Sequence, residues 1–293
     1  MSSKKKVLGL GLAVLVVLII SGSYLSSVNI PLLQPRGIVA DKEFRLLLSV
    51  TGIMCIVVIP VFILLGYIVW KYRDTNNSKK KYLPDWDSNR YIEGLWWIIP
   101  SIIIFILSII TWNATYALNP FNPLASTEKA LNIQVIALDW KWLFIYPSEK
   151  VASINKLVIP VNRPVHFYLT SDAPMNSFWI PQLSGQIYSM PGMQTQLYIM
   201  ANREGHYRGW SANISGIGFA SMTFDTAVTS DINFNHWAHQ VDKTAPKLTN
   251  AAYSVLSRPS SYVAPKYYSH PQPNLFNDTI SKYMVPGKQG MVM

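Results

Sequence analysis

Apolar residues are concentrated in the first 115 or so positions of the chain, where they form three uncharged runs. The first run, Val7 to Ile20, is shorter than the roughly 20 residues that a membrane-spanning helix needs. The second and third, at about 46–70 and 94–112, are long enough to span a bilayer with some tilt. The pattern therefore predicts a hairpin of two transmembrane helices over residues 44–113.

The first run has the layout of an export signal. The basic stretch MSSKKK precedes it, and the small residues SGS follow it. In a bacterial lipoprotein signal a cysteine would follow Ser21-Gly22, but Ser23 stands at that place, so lipidation through a thioether is not available. Residues 1–25 are therefore either a cleaved signal peptide or a retained N-terminal anchor, and both readings stay open.

The charges around the two longer runs predict their orientation. The loop at 71–93 holds six basic residues, which are Lys71, Arg73, Lys79, Lys80, Lys81 and Arg90. Loops rich in Lys and Arg stay on the cytoplasmic side, so we expect everything after about residue 113 to be exported. The formal net charge of +10 thus has a topological explanation, and we expect no nucleic-acid partner.

From Leu131 onward the pattern changes to short runs rich in β-branched and aromatic residues, broken by Pro and Gly. Six to eight strands at this spacing predict one Greek-key β-sandwich over 126–229. In the run LNIQVIALDWKWLFIYP, Trp140 and Trp142 lie two positions apart, so we predict that they share one face of a strand. We favour a packing role for both, in the sandwich core or against a partner.

Residues 230–293 form a tail of different composition. FNHWAHQV and NLFNDTISKYM predict two short amphipathic helices, and the Pro-rich stretch RPSSYVAPKYYSHPQP connects them. We expect this tail to lie along the sandwich or along a partner subunit. The overall prediction is a fold of membrane α plus all-β class: a two-helix hairpin, then the sandwich, then a helical tail.

Candidate chemistry is sparse in this sequence. Cys55 is the single cysteine, so no disulfide can form within the chain. His236 and His239 could share a helix face and bind zinc, but two histidines without further ligands more often form a solvated surface. The loop GWSANISGIGFASM at 209–222 has the Gly-rich form of a metal-binding loop, yet Met222 is its only soft donor.

Several motifs resemble subunit II of the haem-copper respiratory oxidases. WWIIP at 96–100 is similar to the start of that family's second helix, and DWKW at 139–142 stands where the family has a Trp-rich strand. MNSFWIP at 175–181, PGMQTQLYIM at 191–200 and the loop GWSANISGIGFASM then follow in the family's order. The resemblance covers roughly residues 30–285. It is strongest to the quinol-oxidising branch, the cytochrome o ubiquinol oxidases of bacterial inner membranes, and it implies a cupredoxin-like sandwich.

The resemblance also implies what the loop has lost. In the branch that oxidises cytochrome c, two cysteines, two histidines, a methionine and a glutamate carbonyl hold a dinuclear copper site in this loop. In this sequence Ser211 and Ser215 stand at the places of the cysteines, and Phe219 and Asn176 at the places of the histidines. Met222 matches the methionine, and Asn213 stands at the place of the glutamate. Because a copper pair needs thiolates, we predict a degenerate site that binds no metal, filled by a hydrogen-bonded cluster of Asn176, Ser211, Asn213 and Ser215.

The function that this resemblance implies is a non-catalytic subunit II of a proton-pumping quinol:oxygen oxidoreductase in the bacterial inner membrane, with its C-terminal domain in the periplasm. No cofactor is expected in this chain. Haem and copper are expected in the partner subunit I, ubiquinol as the substrate of the complex, and further small membrane subunits and the lipid bilayer as other partners. Cytochrome c is not an expected partner, since the loop lacks its electron-entry site.

Glu93, just before the third apolar run, has two readings. In the family a glutamate here lies at the mouth of a proton-uptake channel, whereas the residues alone are equally consistent with stabilisation of a helix N-terminus. For the chain as a whole there are two alternative functions. A copper-bearing subunit is opposed by the missing ligands, and a membrane-anchored periplasmic binding or assembly protein with a cupredoxin-like domain lacks a recognisable ligand set.

Overall fold

The computed structural model of the chain describes Val16 and residues 20–23, 30–72 and 88–284. Val16 and residues 20–23 are helical. Most of the predicted N-terminal segment 1–25, most of the cytoplasmic loop predicted at 71–93 and the last nine residues of the tail lie outside the described residues. The predictions for those segments therefore stay predictions.

Two long helices contain the second and third apolar runs. Helix α1 spans Ile38–Tyr72 and helix α2 spans Arg90–Ala117. In the described part of the chain these are the two helices long and apolar enough to cross a membrane. Both extend beyond the predicted limits, because helical structure continues through the polar residues that flank each apolar run. Their apolar side chains are largely exposed, as expected for helices that face lipid or a partner subunit.

The part of the chain after the two long helices contains a sandwich of two sheets. The described residues contain eleven strands, more than the six to eight predicted: β1 Leu131–Leu138, β2 Lys141–Tyr146, β3 Val151–Ile154, β4 Lys156–Pro160, β5 Val165–Ser171, β6 Asn176–Trp179, β7 Ile187–Ser189, β8 Thr195–Ile199, β9 Gly205–Ser211, β10 Thr223–Thr229 and β11 Lys266–Ser269. One sheet has the order β11-β3-β2-β1-β5-β8, and the other has the order β4-β10-β9-β6-β7. The parallel pairs β1–β5 and β4–β10 show that the chain crosses between distant strands.

The prediction that Trp140 and Trp142 share a strand face is wrong. The alternating run is two antiparallel strands, β1 and β2, with Leu138 opposite Lys141. Asp139 and Trp140 form the tight turn between them, and Trp140 has a φ of 61°, in the left-handed region. Such a reversal is not visible in hydrophobic periodicity, because both strands have the same alternating pattern.

Aromatic side chains fill the space between the two sheets. Trp142 and Phe144 from β2 meet Phe178 and Phe224 from the other sheet, and all four are buried. The rings of Trp142 and Phe178 pack edge to face at 5.3 Å between centroids, and those of Phe178 and Phe224 stack at 5.2 Å. Each such side chain contributes about 2–3 kcal/mol by its burial, so these four aromatic residues are a substantial part of the core between the sheets.

The tail packs on the sandwich in two places, with its first helix against the core between the sheets and its later part on the outer face of the six-stranded sheet. Helices α3 (Asp231–Thr244) and α5 (Leu275–Ser281) confirm the two predicted amphipathic helices. The stretch between them is more than a connector, because it contains helix α4 (Asn250–Leu256) and the sheet strand β11. A second hydrophobic cluster joins tail residues such as Leu256 and Phe276 to Ile136 and Leu143 of the sheet. The tail therefore lies along the sandwich, as one of the two predicted arrangements has it.

Backbone hydrogen bonds join the start of α1 to the sandwich. The N–H of Ile38 donates to the carbonyl of Met200 over 3.1 Å, and the N–H of Arg36 donates to the carbonyl of Gln182 over 2.7 Å. Gly37 lies between them, where a Cβ would stand 2.5 Å from the carbonyl oxygen of Leu183. Only glycine permits this approach, so the first helix is fixed to the sandwich at a close backbone contact.

Candidate functional site

The loop that the sequence singles out connects β9 to β10 at one end of the sandwich. Its base is closed by the N–H of Ser211, which donates to the carbonyl of Met222 over 3.1 Å. A short 3-10 turn, Phe219–Ser221, leads into β10. The two flanking strands are antiparallel neighbours, so the loop has fixed ends and a defined shape.

Ser211 and Asn176 form the centre of the site. The Ser211 hydroxyl donates to Asn176 Oδ1 over 3.1 Å and also lies 3.2 Å from the carbonyl of Asn213. The same hydroxyl oxygen accepts from the N–H of Ser177 at 3.4 Å. Asn176 is 1% exposed and Ser211 is 3% exposed. Buried polar groups must find partners, and these two largely satisfy each other.

Asn213 and Ser215 behave differently. Asn213 Nδ2 donates to the carbonyl of Met175 over 2.9 Å, which ties the loop to the turn before β6. The Ser215 hydroxyl is buried and has no hydrogen-bond partner among the described residues. The predicted polar cluster therefore forms around Asn176, Ser211 and Asn213, whereas the side chain of Ser215 does not join it.

Trp140 supports the loop from the opposite sheet. Its indole Nε1 donates to the carbonyl of Ser215 over 3.2 Å. A Cβ on Gly218 would lie 2.2 Å from a ring carbon of Trp140, and Gly216 lies against the same ring with a φ of +116°. Sequence reasoning missed this role of Trp140. The two glycines at positions 216 and 218 are the sequence feature that indicates this contact, since glycine often marks a backbone packed closely against another group.

Phe219 and Met222, the last two positions of the aligned copper site, lie in different surroundings. Met222 is fully buried and belongs to the hydrophobic core between the sheets. Phe219 is half-buried in the 3-10 turn. At the tip of the loop, Ile214 and Ile217 are 80% and 99% exposed, so this end of the sandwich presents apolar side chains outward.

The loop site contains no ionisable side chain. Its polar atoms are hydroxyls, amides and backbone groups, which are neutral hydrogen-bonding partners at ordinary pH. Within the residues that the structure describes, no group of three or more His, Cys, Asp or Glu side chains is placed to hold a metal ion. His236 and His239 are exposed positions on α3 and belong to no such group.

Glu93 lies in the first turn of α2. Asn89 is the N-cap of this helix, and its side chain accepts from the N–H groups of Tyr91 and Ile92. One Glu93 oxygen in turn accepts from the N–H of Asn89 at 3.3 Å. This reciprocal arrangement is close to a capping box, so the carboxylate has a structural role at the helix start.

A second polar cluster, which sequence reasoning missed, holds the tail. We call it the Asp172 cluster: Asp172, Tyr253, Thr279, Lys282 and Tyr283. Asp172 Oδ2 accepts from the Tyr253 hydroxyl over 2.8 Å, and Oδ1 accepts from Lys282 Nζ over 2.7 Å and the Tyr283 hydroxyl over 2.8 Å. The Asp172 side chain is 2% exposed. One carboxylate of the sandwich therefore binds three donors of the tail.

The donors of the Asp172 cluster have shifted pKa values. Burial raises the pKa of the Tyr253 hydroxyl strongly, and the neighbouring Asp172 carboxylate adds to the effect. The hydrogen bond to Asp172 is the main reason why the pKa of Lys282 is raised. Burial, and then the bond to Asp172, raise the pKa of Tyr283. All three donors therefore keep their protons more firmly in the docked tail than in water.

Lys141 provides a further tail contact, near the candidate loop. Its Nζ donates to the carbonyl of Arg258 over 2.8 Å and to the hydroxyl of Ser260 over 2.6 Å. Lys141 is 1% exposed, and burial lowers the pKa of its ammonium group. Since Lys141 begins β2 directly after Trp140, the tail and the loop are supported by adjacent residues of the chain.

Two family models match the chain. Residues 147–229 match the family described as cytochrome c oxidase subunit II, periplasmic domain, and residues 243–287 match the COX aromatic rich motif. The second match covers most of the tail, including the Asp172 partners Tyr253, Lys282 and Tyr283. The two models together thus cover the sandwich from β3 onward and most of the segment that packs on it.

Full-length relatives are similar over most of the chain. The cytochrome bo(3) ubiquinol oxidase subunit 2 of Pseudomonas putida is 46% identical over 259 residues, which is 88% of this chain and 82% of the relative. The ubiquinol oxidase subunit 2 of Acetobacter aceti is 42% identical over 93% of this chain and 88% of the relative. Among solved structures, the periplasmic domain of cytochrome oxidase subunit II of Bradyrhizobium japonicum matches 39% of this chain and 96% of its own, with 23% identity and a TM-score of 0.37.

Proposed function

The chain belongs to the subunit 2 family of quinol-oxidising haem-copper oxidases, and we propose that within such a complex it carries no electrons itself. The observation that supports this proposal is the bond between the Ser211 hydroxyl and Asn176 Oδ1. Those positions correspond to a thiolate and an imidazole where a copper pair is bound. A neutral hydroxyl and an amide lack the soft, ionised donor atoms that such a pair requires.

On this proposal the redox chemistry belongs to the partner. Haem and copper reside in subunit I, ubiquinol delivers electrons to that subunit directly, and cytochrome c is not a donor. The surface charge agrees, since from residue 114 onward the chain has thirteen Lys or Arg against nine Asp or Glu. Docking of a basic electron carrier favours an acidic face, which this composition does not provide.

Oxygen uptake by the purified complex tests the proposal. The complex is supplied either with ubiquinol or with reduced cytochrome c as the only electron donor. We expect uptake with ubiquinol and none above the background rate with cytochrome c. Turnover driven by cytochrome c alone would overturn the proposal, because it requires an electron-entry site in this chain.

We further propose that the chain supports assembly of the complex in the bacterial inner membrane, with the sandwich on the periplasmic side. Its two apolar helices have little buried surface of their own and therefore need lipid or neighbouring helices around them. The close backbone contacts at Gly37 hold the sandwich at a fixed place above the helices. A subunit built in this way can position an exported domain against subunit I.

Proton entry at Glu93 is the remaining part of the proposal. Its carboxylate lies at the end of α2 that is predicted to face the cytoplasm, where protons are taken up. The Glu93→Gln variant separates this role from helix capping, since the amide can still accept from Asn89 but cannot carry a proton. We expect slower turnover and fewer protons pumped per oxygen for Gln, with recovery for Glu93→Asp. Full activity of the Gln variant would leave only the capping role.

A further inference from the structure

A cavity lies where the two apolar helices meet the sandwich. Its volume is about 360 Å³. The start of α1, the end of α2 with the linker after it, and residues 184–186 and 197–198 of the sandwich form its walls. Because the apolar parts of both helices end here, the cavity is at the depth of the lipid head groups.

The polar groups of this cavity include one acid and one base. Glu43 and Lys42 both line it, next to each other on α1. The Glu43 carboxylate accepts from the N–H of Gly185, and a Cβ at Gly185 would lie 2.5 Å from Glu43 Oε1. A glycine is therefore needed to let the carboxylate sit against the sandwich at this place.

Ser184 also lines the cavity, but its hydroxyl is buried away from the open volume and has no hydrogen-bond partner among the described residues. The charged groups that the cavity offers to a ligand are therefore the Glu43 carboxylate and the Lys42 ammonium group.

An apolar groove on α2 continues from the cavity. Its volume is about 480 Å³, and its walls are side chains between Ile104 and Tyr116. Tyr116 lines both the groove and the cavity. The groove contains hydroxyl residues, but Ser108 and Thr115 donate to carbonyls of their own helix, to Ile104 and Thr111 respectively. Its surface is therefore largely apolar, and Thr111 is the third hydroxyl residue along it.

The groove has the length of an acyl chain. Thirteen helical positions, from 104 to 116, extend over about 18 Å at 1.5 Å per residue. At the end of the groove next to the cavity, Trp112 and Tyr116 pack with their ring centroids 5.3 Å apart, in the position of interfacial aromatic anchors. A polar cavity joined to an apolar groove of this length is the shape of a phospholipid.

We propose that this junction binds one phospholipid of the phosphatidylethanolamine class. The primary ammonium of the head group donates to Glu43, the phosphate is bound by Lys42, and one acyl chain lies in the α2 groove. An N–H donor is required at Glu43, which distinguishes this lipid from phosphatidylcholine. The negative Glu43 beside the phosphate disfavours phosphatidylglycerol, which has no cation to offer.

Lipid retention by the purified complex tests the proposal. The complex is stripped of lipid in detergent, incubated with phosphatidylethanolamine, phosphatidylcholine or phosphatidylglycerol in mixed micelles, and analysed by native mass spectrometry. We expect one phosphatidylethanolamine to be retained in preference to the other two. Loss of one charged hydrogen bond in Glu43→Gln should lower this retention about tenfold.

Two further variants make the test specific. Asp41→Asn removes the same charge from the same helix at a residue that does not line the cavity, and it should retain lipid like the wild type. Ser108→Phe fills the groove without a change of charge and should also lower retention. The proposal is wrong if Glu43→Gln keeps the lipid fully, or if phosphatidylglycerol is retained as well as phosphatidylethanolamine. It is also wrong if a photo-crosslinker at position 111 labels a partner subunit instead of lipid.

Discussion

The sandwich has two polar clusters that differ in their charge and in the segments of the chain that they join. The loop cluster around Ser211 consists of neutral groups close in sequence or in adjacent strands, and it fixes the shape of one loop. The Asp172 cluster is ionic, and it joins the sandwich to a tail segment 81 to 111 residues later in the chain. Hydrogen bonds to a buried charge are worth about twice as much as neutral ones. The comparison indicates that the attachment of the tail depends on one carboxylate, whereas substitution of a residue in the loop cluster should cost little stability.

The largest effect is expected for Asp172→Ala. The substitution removes the acceptor of three donors. We expect the free energy of detaching the tail to fall by about 3 kcal/mol, since the bond from the exposed Lys282 contributes little. Limited proteolysis of the purified chain should cut the tail about a hundredfold faster, since 1.4 kcal/mol corresponds to a factor of ten. Asp278→Asn, an exposed carboxylate on α5, serves as the control and should have little effect. Equal cleavage rates for Asp172→Ala and the wild type would contradict the comparison.

Alkaline pH should release the tail while it leaves the loop unchanged. The folded pKa values of Tyr253, Lys282 and Tyr283 are raised, so their contribution is complete below about pH 10, the range of the detached groups. It is lost as the pH rises toward the folded values. The difference in cleavage rate between the wild type and Asp172→Ala, measured with a protease active in alkali, should stay constant from pH 7 to 9 and shrink above pH 10. A difference that is unchanged at pH 11 would contradict this prediction.

Ser211→Ala should have a smaller effect. The substitution removes the donor to Asn176 Oδ1 and the acceptor for the N–H of Ser177, which together are worth about 1 kcal/mol. Thermal unfolding of the purified complex should begin a few degrees lower, and ubiquinol oxidation should be unaffected. A large loss of ubiquinol turnover in a complex with normal haem content would show that the loop has a role that neutral hydrogen bonding does not explain.

Ser215→Ala is the matched control for Ser211→Ala and should have the smallest effect on stability. Its hydroxyl is buried without a partner in the described part of the chain, so its removal takes away no bond. We expect a change in unfolding free energy within about 0.5 kcal/mol, on either side of zero. If Ser215→Ala destabilises the complex as much as Ser211→Ala does, the loop cluster includes Ser215 after all.

Sequence and structure agree best where the physical signal is local. The two apolar helices, the strand-rich segment after them and the two amphipathic tail helices follow from hydropathy and periodicity. The loop was found because its residue types could be set against a known ligand pattern. Within it, the bond between Ser211 and Asn176 could be anticipated, because both positions belong to the same former site.

The Asp172 cluster and the Trp140 contact could not be predicted, for the same physical reason. Asp172 is one acid among many, and nothing near it in sequence indicates that Tyr253, Lys282 and Tyr283 will meet it. The role of Trp140 depends on a left-handed turn that moves it out of the strand and against Gly218. In both cases the interaction is defined by the packing of distant segments, which periodicity does not encode.

We propose above all that this chain binds no copper and carries no electrons, because its loop has neutral oxygen donors in place of thiolates. The most direct test is the copper content of the full-length chain, expressed in copper-supplemented cells and separated from subunit I before elemental analysis. We predict no copper above that of a sample without protein. A stoichiometric amount of copper that stays with the chain, and is lost in Ser211→Ala, would contradict the account.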